Sequence, residues 1–108
     1  MTYLRLKKQA DFQKLFQSGK RAYSPSLTVL YKPSKKMVMG ISVGKRHGKS
    51  VVRNRVKRLL REAFRSVEGE FQKTYSIVLL PKPQAEKKDY SFHTYQTHLR
   101  AILKKEKL

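Results

Sequence analysis

The chain contains no cysteine, only 7 acidic residues among 108, and no long apolar run. Without cysteine there are no disulfides and no thiolate metal site, which fits a reducing compartment. The most apolar stretch, Ile77-Val78-Leu79-Leu80, falls far short of the roughly 20 residues a membrane helix needs. The opening Met1-Thr2-Tyr3-Leu4-Arg5-Leu6-Lys7-Lys8 never enters an apolar segment, so no signal peptide is expected. The acids are Asp11, Glu62, Glu68, Glu70, Glu86, Asp89 and Glu106, and none forms a close motif suited to a two-metal nuclease site. His93 and His98 are five apart and do not share a helical face as metal ligands would, and His47 stands alone in a basic segment. No catalytic constellation is visible. A metal-free ribonuclease built from His and Lys that meet only in space stays open as an alternative.

Positive charge is what the chain has in excess. It carries 26 Lys+Arg and a formal net charge of +19. Such an excess favours polyanion partners, because each neutralised phosphate releases condensed counterions. An anionic membrane would require an apolar anchor that the sequence does not offer. Hydrophobic residues make up 39% and aromatics 10%, enough for a folded core rather than a disordered basic tail. The length suits one domain over residues 1–108.

Hydrophobic spacing outlines the elements. Phe12, Leu15 and Phe16 fall at i, i+3, i+4 and predict a short helix between Gln9 and Ser18, with Gly19 expected to end it in a left-handed turn. Leu27-Thr28-Val29-Leu30-Tyr31 reads as a strand ended by Pro33, with a shorter extended piece before Pro25. Met37 to Val43 reads as another strand, with Val38, Gly40 and Ser42 on one face and Met37, Met39, Ile41 and Val43 on the other. Val52, Val56, Leu59, Leu60, Ala63, Phe64 and Val67 keep a 3.6-residue period, predicting a long helix from about Ser50 to about Ser66. Tyr75 to Leu80 reads as a buried strand. A last helix is expected from an N-cap at Asp89, carrying Phe92, Tyr95, Leu99, Ile102 and Leu103 inward. The expected fold class is α+β, a single-domain α-β sandwich of order αβββαβα with helices on a mainly antiparallel sheet.

The long helix and the loop before it carry the chemistry. From Lys45 to Arg65 there are nine positive charges against Glu62 alone. The apolar set shares one helical face, so Asn54, Lys57, Arg58, Arg61 and Arg65 gather opposite it, with Arg53 and Arg55 at the edges. A merely solvated face mixes signs to limit self-repulsion, and this one does not. Arginine also outnumbers lysine there, and its planar fork suits bidentate phosphate binding. The segment Gly44-Lys45-Arg46-His47-Gly48-Lys49-Ser50 superficially suggests a nucleotide-binding loop, but three residues separate the glycines where that pattern needs four. A backbone anion nest feeding the helix N-terminus is the better reading. Phe12, Phe16 and Tyr31 read from spacing as core residues, with a stacking platform for single-stranded bases as the alternative.

At Arg53-Asn54-Arg55 the chain resembles a known family. The run from Gly48 to Arg65, centred on Arg-Asn-Arg followed by x-Lys-Arg, is similar to the signature of the bacterial ribonuclease P protein subunit. Gly40-Ile41-Ser42-Val43-Gly44-Lys45-Arg46 is similar to the strand and basic loop that precede it, and Arg5-Leu6 with Phe12, Phe16 and Gly19 to the family's opening helix. Ser50 stands where alanine is common and Gly44 where a small hydroxyl residue is common. The resemblance implies a cytoplasmic protein that binds a large catalytic RNA, in a ribonucleoprotein endonuclease that removes the 5′ leader of precursor tRNA. Hydrolysis would be the work of the RNA with its magnesium, and no catalytic or metal-binding residue is expected on the protein. It also implies a left-handed β-α-β crossover. By the same resemblance Lys45, Arg46, Arg53, Asn54, Arg55, Lys57, Arg58, Arg61 and Arg65 would face RNA, and Phe12, Phe16 and Tyr31 would line a cleft for the leader. A structural RNA-binding protein, such as a ribosomal one, would show the same charge. A helix-turn-helix DNA binder fits less well, since strands precede the basic helix.

Overall fold

The three helical apolar periods become helices packed on the two faces of one sheet. The computed structural model describes residues 3–83 and 90–108. In chain order the elements are β1 (Leu4–Arg5), α1 (Gln9–Ser18), β2 (Lys20–Tyr23), β3 (Leu27–Pro33), β4 (Val38–Ile41), α2 (Ser50–Val67), β5 (Tyr75–Pro81) and α3 (Phe92–Glu106). Short 3-10 turns at Lys45–His47 and Glu68–Glu70 flank α2. The architecture is α+β, as expected, with one strand more than the sequence suggested. β1 is two residues long and is held by its neighbours rather than by its own pattern, with Leu4 N–H donating to Met37 O at 2.8 Å and Leu6 N–H to Met39 O at 3.0 Å.

The strand order is β1-β4-β5-β3-β2. β2–β3 and β3–β5 are antiparallel, whereas β1–β4 and β4–β5 are parallel, so the sheet is mixed, with most of its paired residues in the antiparallel ladders as expected. The physical reason is the connection. β4 and β5 are parallel neighbours, so the chain must cross between them, and α2 makes that crossing. β3 is buried from Leu27 to Tyr31 without alternation because helices cover both of its faces.

The larger core lies between the sheet and the α2–α3 pair. Val56, Leu60, Phe64, Ile77 and Leu79 are fully buried there. Met37, Met39, Ile41 and Val43 pack on this side, the face that the alternation of β4 predicted. α1 covers the other side with a small cluster of Leu15, Leu30 and Val78, flanked by Leu6, Phe12 and Leu80. Gly40 allows this approach, since a Cβ there would stand 2.7 Å from the Phe12 ring.

Two expected helix ends differ. Gly19 is extended (φ −73°, ψ 152°) rather than left-handed. It is crowded against the last turn of α1, where a Cβ would lie 2.6 Å from the Leu15 carbonyl oxygen. Asp89 lies outside the described residues. α3 is capped by Ser91, whose Oγ accepts from Thr94 N–H at 3.1 Å.

Candidate nucleic-acid interface

α2 turns a local pattern into a surface. Burial of Val52, Val56, Leu60, Ala63, Phe64 and Val67 fixes the helix's rotation and sends its charged side outward. Asn54, Arg55, Arg58 and Arg65 are exposed, and so are Lys45 and Arg46 in the turn ahead. Arg53, Lys57 and Arg61 are half-buried. Gly48, at φ +117°, turns the chain into α2, and its first turn carries no acidic residue and no side-chain cap. Arg53 Nη2 donates to Ser50 Oγ at 3.2 Å, while its Nε is buried with no partner among the described residues. None of the nine cations between Lys45 and Arg65 is paired with a carboxylate among the described residues. Like charges one helical turn apart repel, and an anion laid along this face would relieve that repulsion. Asn54, Arg55, Arg58 and Arg61 line an open groove of about 550 Å³ with the exposed Val51.

Phe12 and Phe16 point from α1 toward the thinly covered side of the sheet. Phe12 is half-buried and Phe16 is 36% exposed. Phe16 borders a groove of about 380 Å³ with Thr28, Ser42, Arg46, Leu80 and Lys82. Phe12 borders a smaller pocket of about 100 Å³ with Arg5, Gly40, Lys57 and Arg61. The aromatic helix therefore shares one pocket with Lys57 and Arg61 of α2 and one groove with Arg46 of the turn before it, and a ligand against either ring meets cations from the basic region.

The structure does not bring Tyr31 into this cleft. Its side chain lies on the opposite face of β3, 6% exposed in the larger core, edge-on to Tyr75 with ring centroids 5.9 Å apart. Its hydroxyl donates to Glu106 Oε1 at 2.7 Å, tying the sheet to α3. Burial, then that carboxylate, pushes its pKa up to about 12, so it stays a donor. The cause is strand parity. Tyr31 shares a face with Leu27 and Val29, whereas α1 lies over the face of Leu30. Thr28, Ser42, Leu80, Arg5 and Lys82, which the sequence reading passed over, line the cleft pockets instead. Strand parity places Thr28 and Leu80 on the face of Leu30 and Val78, and their apolar-rich strands carried no sequence signal for it. Arg5 entered the sequence reading only within the family resemblance, without a site role.

The histidines are apart. His47 is buried, with Nδ1 2.9 Å from the Tyr90 hydroxyl. Burial, then the charge of Arg46, holds its pKa below the ordinary 6.5. It anchors the basic turn to the segment before α3. His98 Nδ1 lies 2.5 Å from Ser26 Oγ, and His93 is exposed. Among the described residues no group of three His, Asp or Glu is placed to hold a metal ion, and no helix is long and apolar enough to cross a membrane.

Comparison with known proteins adds a family to this geometry. The family model described as Ribonuclease P matches residues 2–107. The ribonuclease P protein component of Caldanaerobacter subterraneus subsp. tengcongensis is 37% identical over 106 residues, covering 96% of this chain and 90% of that one. That of Dictyoglomus thermophilum is 38% identical over 104 residues, covering 94% and 86%. Among solved structures, the RNase P protein from Thermotoga maritima superposes with a TM-score of 0.81 at 30% identity, covering 94% of this chain and 96% of that one. The Staphylococcus aureus RNase P protein gives 0.79 at 32%, covering 95% and 94%. With the match running nearly end to end, in sequence and in fold alike, this chain belongs to the ribonuclease P protein family.

Proposed function

We propose that this chain is the protein subunit that binds the catalytic RNA of ribonuclease P and the single-stranded 5′ leader of precursor tRNA, in the cytoplasm. The carrying observation is the unbalanced cationic face of α2, continuous through Arg46, Lys57 and Arg61 with the pockets beside Phe16 and Phe12. Arg53, Asn54, Arg55, Arg58 and Arg65, with Lys45, lie along an RNA backbone. The Phe16 ring offers a stacking surface to a leader base while cations beside it hold the flanking phosphates. The protein lowers the repulsion between two RNAs that must approach closely. Magnesium, held by the RNA, supplies the hydrolytic chemistry, and the protein's residues bind and orient.

The test is cleavage of a precursor tRNA at low magnesium by protein alone, by the partner RNA alone, and by both. Efficient cutting at the mature 5′ end by the mixture only is the expected result. Cutting by the protein alone refutes the division of labour. No effect of the protein in any combination leaves a purely structural RNA-binding role.

A further inference from the structure

The turn that carries Lys45 and Arg46 is held in place by one side chain. It spans three residues between two glycines, Gly44 and Gly48. Its backbone closes on itself, with His47 N–H donating to Gly44 O at 3.2 Å and Gly48 N–H to Lys45 O at 3.1 Å. A Cβ at Gly44 would meet only open space. Lys45 and Arg46 are exposed, and His47, at 7% exposure, is the one buried side chain of the turn. Where His47 docks therefore decides where Arg46 stands.

It docks on Tyr90, 43 residues away along the chain, with Nδ1 and the phenol oxygen 2.9 Å apart and the ring centroids 5.8 Å apart. Tyr90 is fixed from two other sides. Its ring belongs to the larger core with Val52 and Val56 of α2, and its backbone leads directly into Ser91, the cap of α3. A buried hydroxyl or imidazole that loses its partner is costly, so this bond keeps the turn on that spot. On its other side the turn borders the groove of about 380 Å³ beside Phe16, to which both Arg46 and His47 contribute. An arginine whose backbone is already fixed loses less freedom when its fork grips a phosphate.

We propose that His47 and Tyr90 are positioning residues for precursor recognition. The bond between them holds Arg46 on the wall of the groove beside Phe16. A tyrosine too buried to take a base thereby sets how strongly the protein favours precursor over mature tRNA, and it acts through Arg46. The inference rests on the reading of that groove as the leader site.

The test uses holoenzyme reconstituted with Tyr90→Phe, with Arg46→Ala, or with both, and compares Kd for precursor and mature tRNA. Tyr90→Phe keeps the ring in the core and removes only the hydroxyl. It is expected to weaken precursor binding several-fold, to change mature tRNA binding little, and to add nothing in the Arg46→Ala background. Arg46→Ala should also lower the salt slope of precursor binding by about one. His47→Leu should match Tyr90→Phe. His47→Asn, whose amide puts a donor or an acceptor where Nδ1 stands, should recover most of the loss. That order separates a positioning bond from mere packing, because an apolar leucine suits a buried site better than an amide does. The proposal is overturned by no loss from Tyr90→Phe, by equal losses for the two RNAs, by a full further loss in the Arg46→Ala background, or by His47→Asn binding no better than His47→Leu. If Arg46→Ala weakens precursor binding and Tyr90→Phe does not, only this proposal fails. If Arg46→Ala leaves precursor binding unchanged, the reading of the groove fails and takes the proposal with it.

Discussion

On the α2–α3 face of the sheet, Leu27, Ile77 and Leu79 are fully covered, and Leu60, Phe64 and Tyr95 close over that side. On the α1 face, Leu15, Leu30 and Val78 form a patch of three buried residues, with a groove toward each end of the strands. One face is packed for stability, and the other is covered by a ten-residue helix that leaves aromatic rings half out. The difference teaches where each kind of free energy resides. Buried apolar area on the first face stabilises the fold, so the second can spare its aromatics for a ligand.

The comparison breaks most severely if a residue of the packed face proves dispensable. Phe64 is fully buried and edge-on to Tyr3 with centroids 5.1 Å apart. Phe64→Ala should cost about 3–5 kcal/mol in denaturant unfolding, with loss of RNA binding only as far as folding is lost. On the other face, Phe16→Ala should leave the unfolding midpoint nearly unchanged. It should weaken binding of precursor tRNA by about 1–3 kcal/mol, the range for one stacked base, and mature tRNA little. Equal losses for the two ligands would show that Phe16 acts through stability and erase the contrast between the faces. Arg58→Ala, on the exposed side of α2, should reduce the salt slope of RNA binding by about one across sequences. A slope identical to wild type would remove Arg58 from the phosphate contacts.

The smallest effect concerns the link between the basic turn and the segment before α3. Burial keeps the His47 pKa below 6.5, so an unfolded chain takes up a proton near 6.5 that the folded chain does not. The His47 contribution is therefore fully present above 6.5 and is lost as pH falls below it. Unfolding measured across that range should show a weaker acid dependence for His47→Leu than for wild type. Parallel curves would assign the acid sensitivity to another group.

Much of this molecule was legible residue by residue. The apolar period from Val52 to Val67 located α2 within a residue at its C-terminal end, and with it the outward turn of Asn54 and Arg58. The alternation of Met37, Met39, Ile41 and Val43 marked the core-facing side of β4. Misreadings were of two kinds. Gly19 was expected to be left-handed, yet it is extended, with its N–H donating to Leu15 O at the end of α1. β1 has too few residues to show a pattern and exists through its bonds to Met37 and Met39.

Helical spacing and charge are properties of neighbouring residues, so they survive in the linear chain. They outlined an α+β protein with a cationic helix, and with it the expectation of a polyanion partner, before any coordinates. Which helix covers which face of a strand depends on how distant segments pack, and parity then decides every side chain on that strand. That packing removed Tyr31 from the cleft and bonded it to Glu106. It brought Arg5 beside Lys57 and Arg61, joined His47 to Tyr90, and clasped the Lys35–Lys36 turn to Thr74. Each of these pairs is far apart along the chain, and only the burial of apolar surface between them holds them in reach.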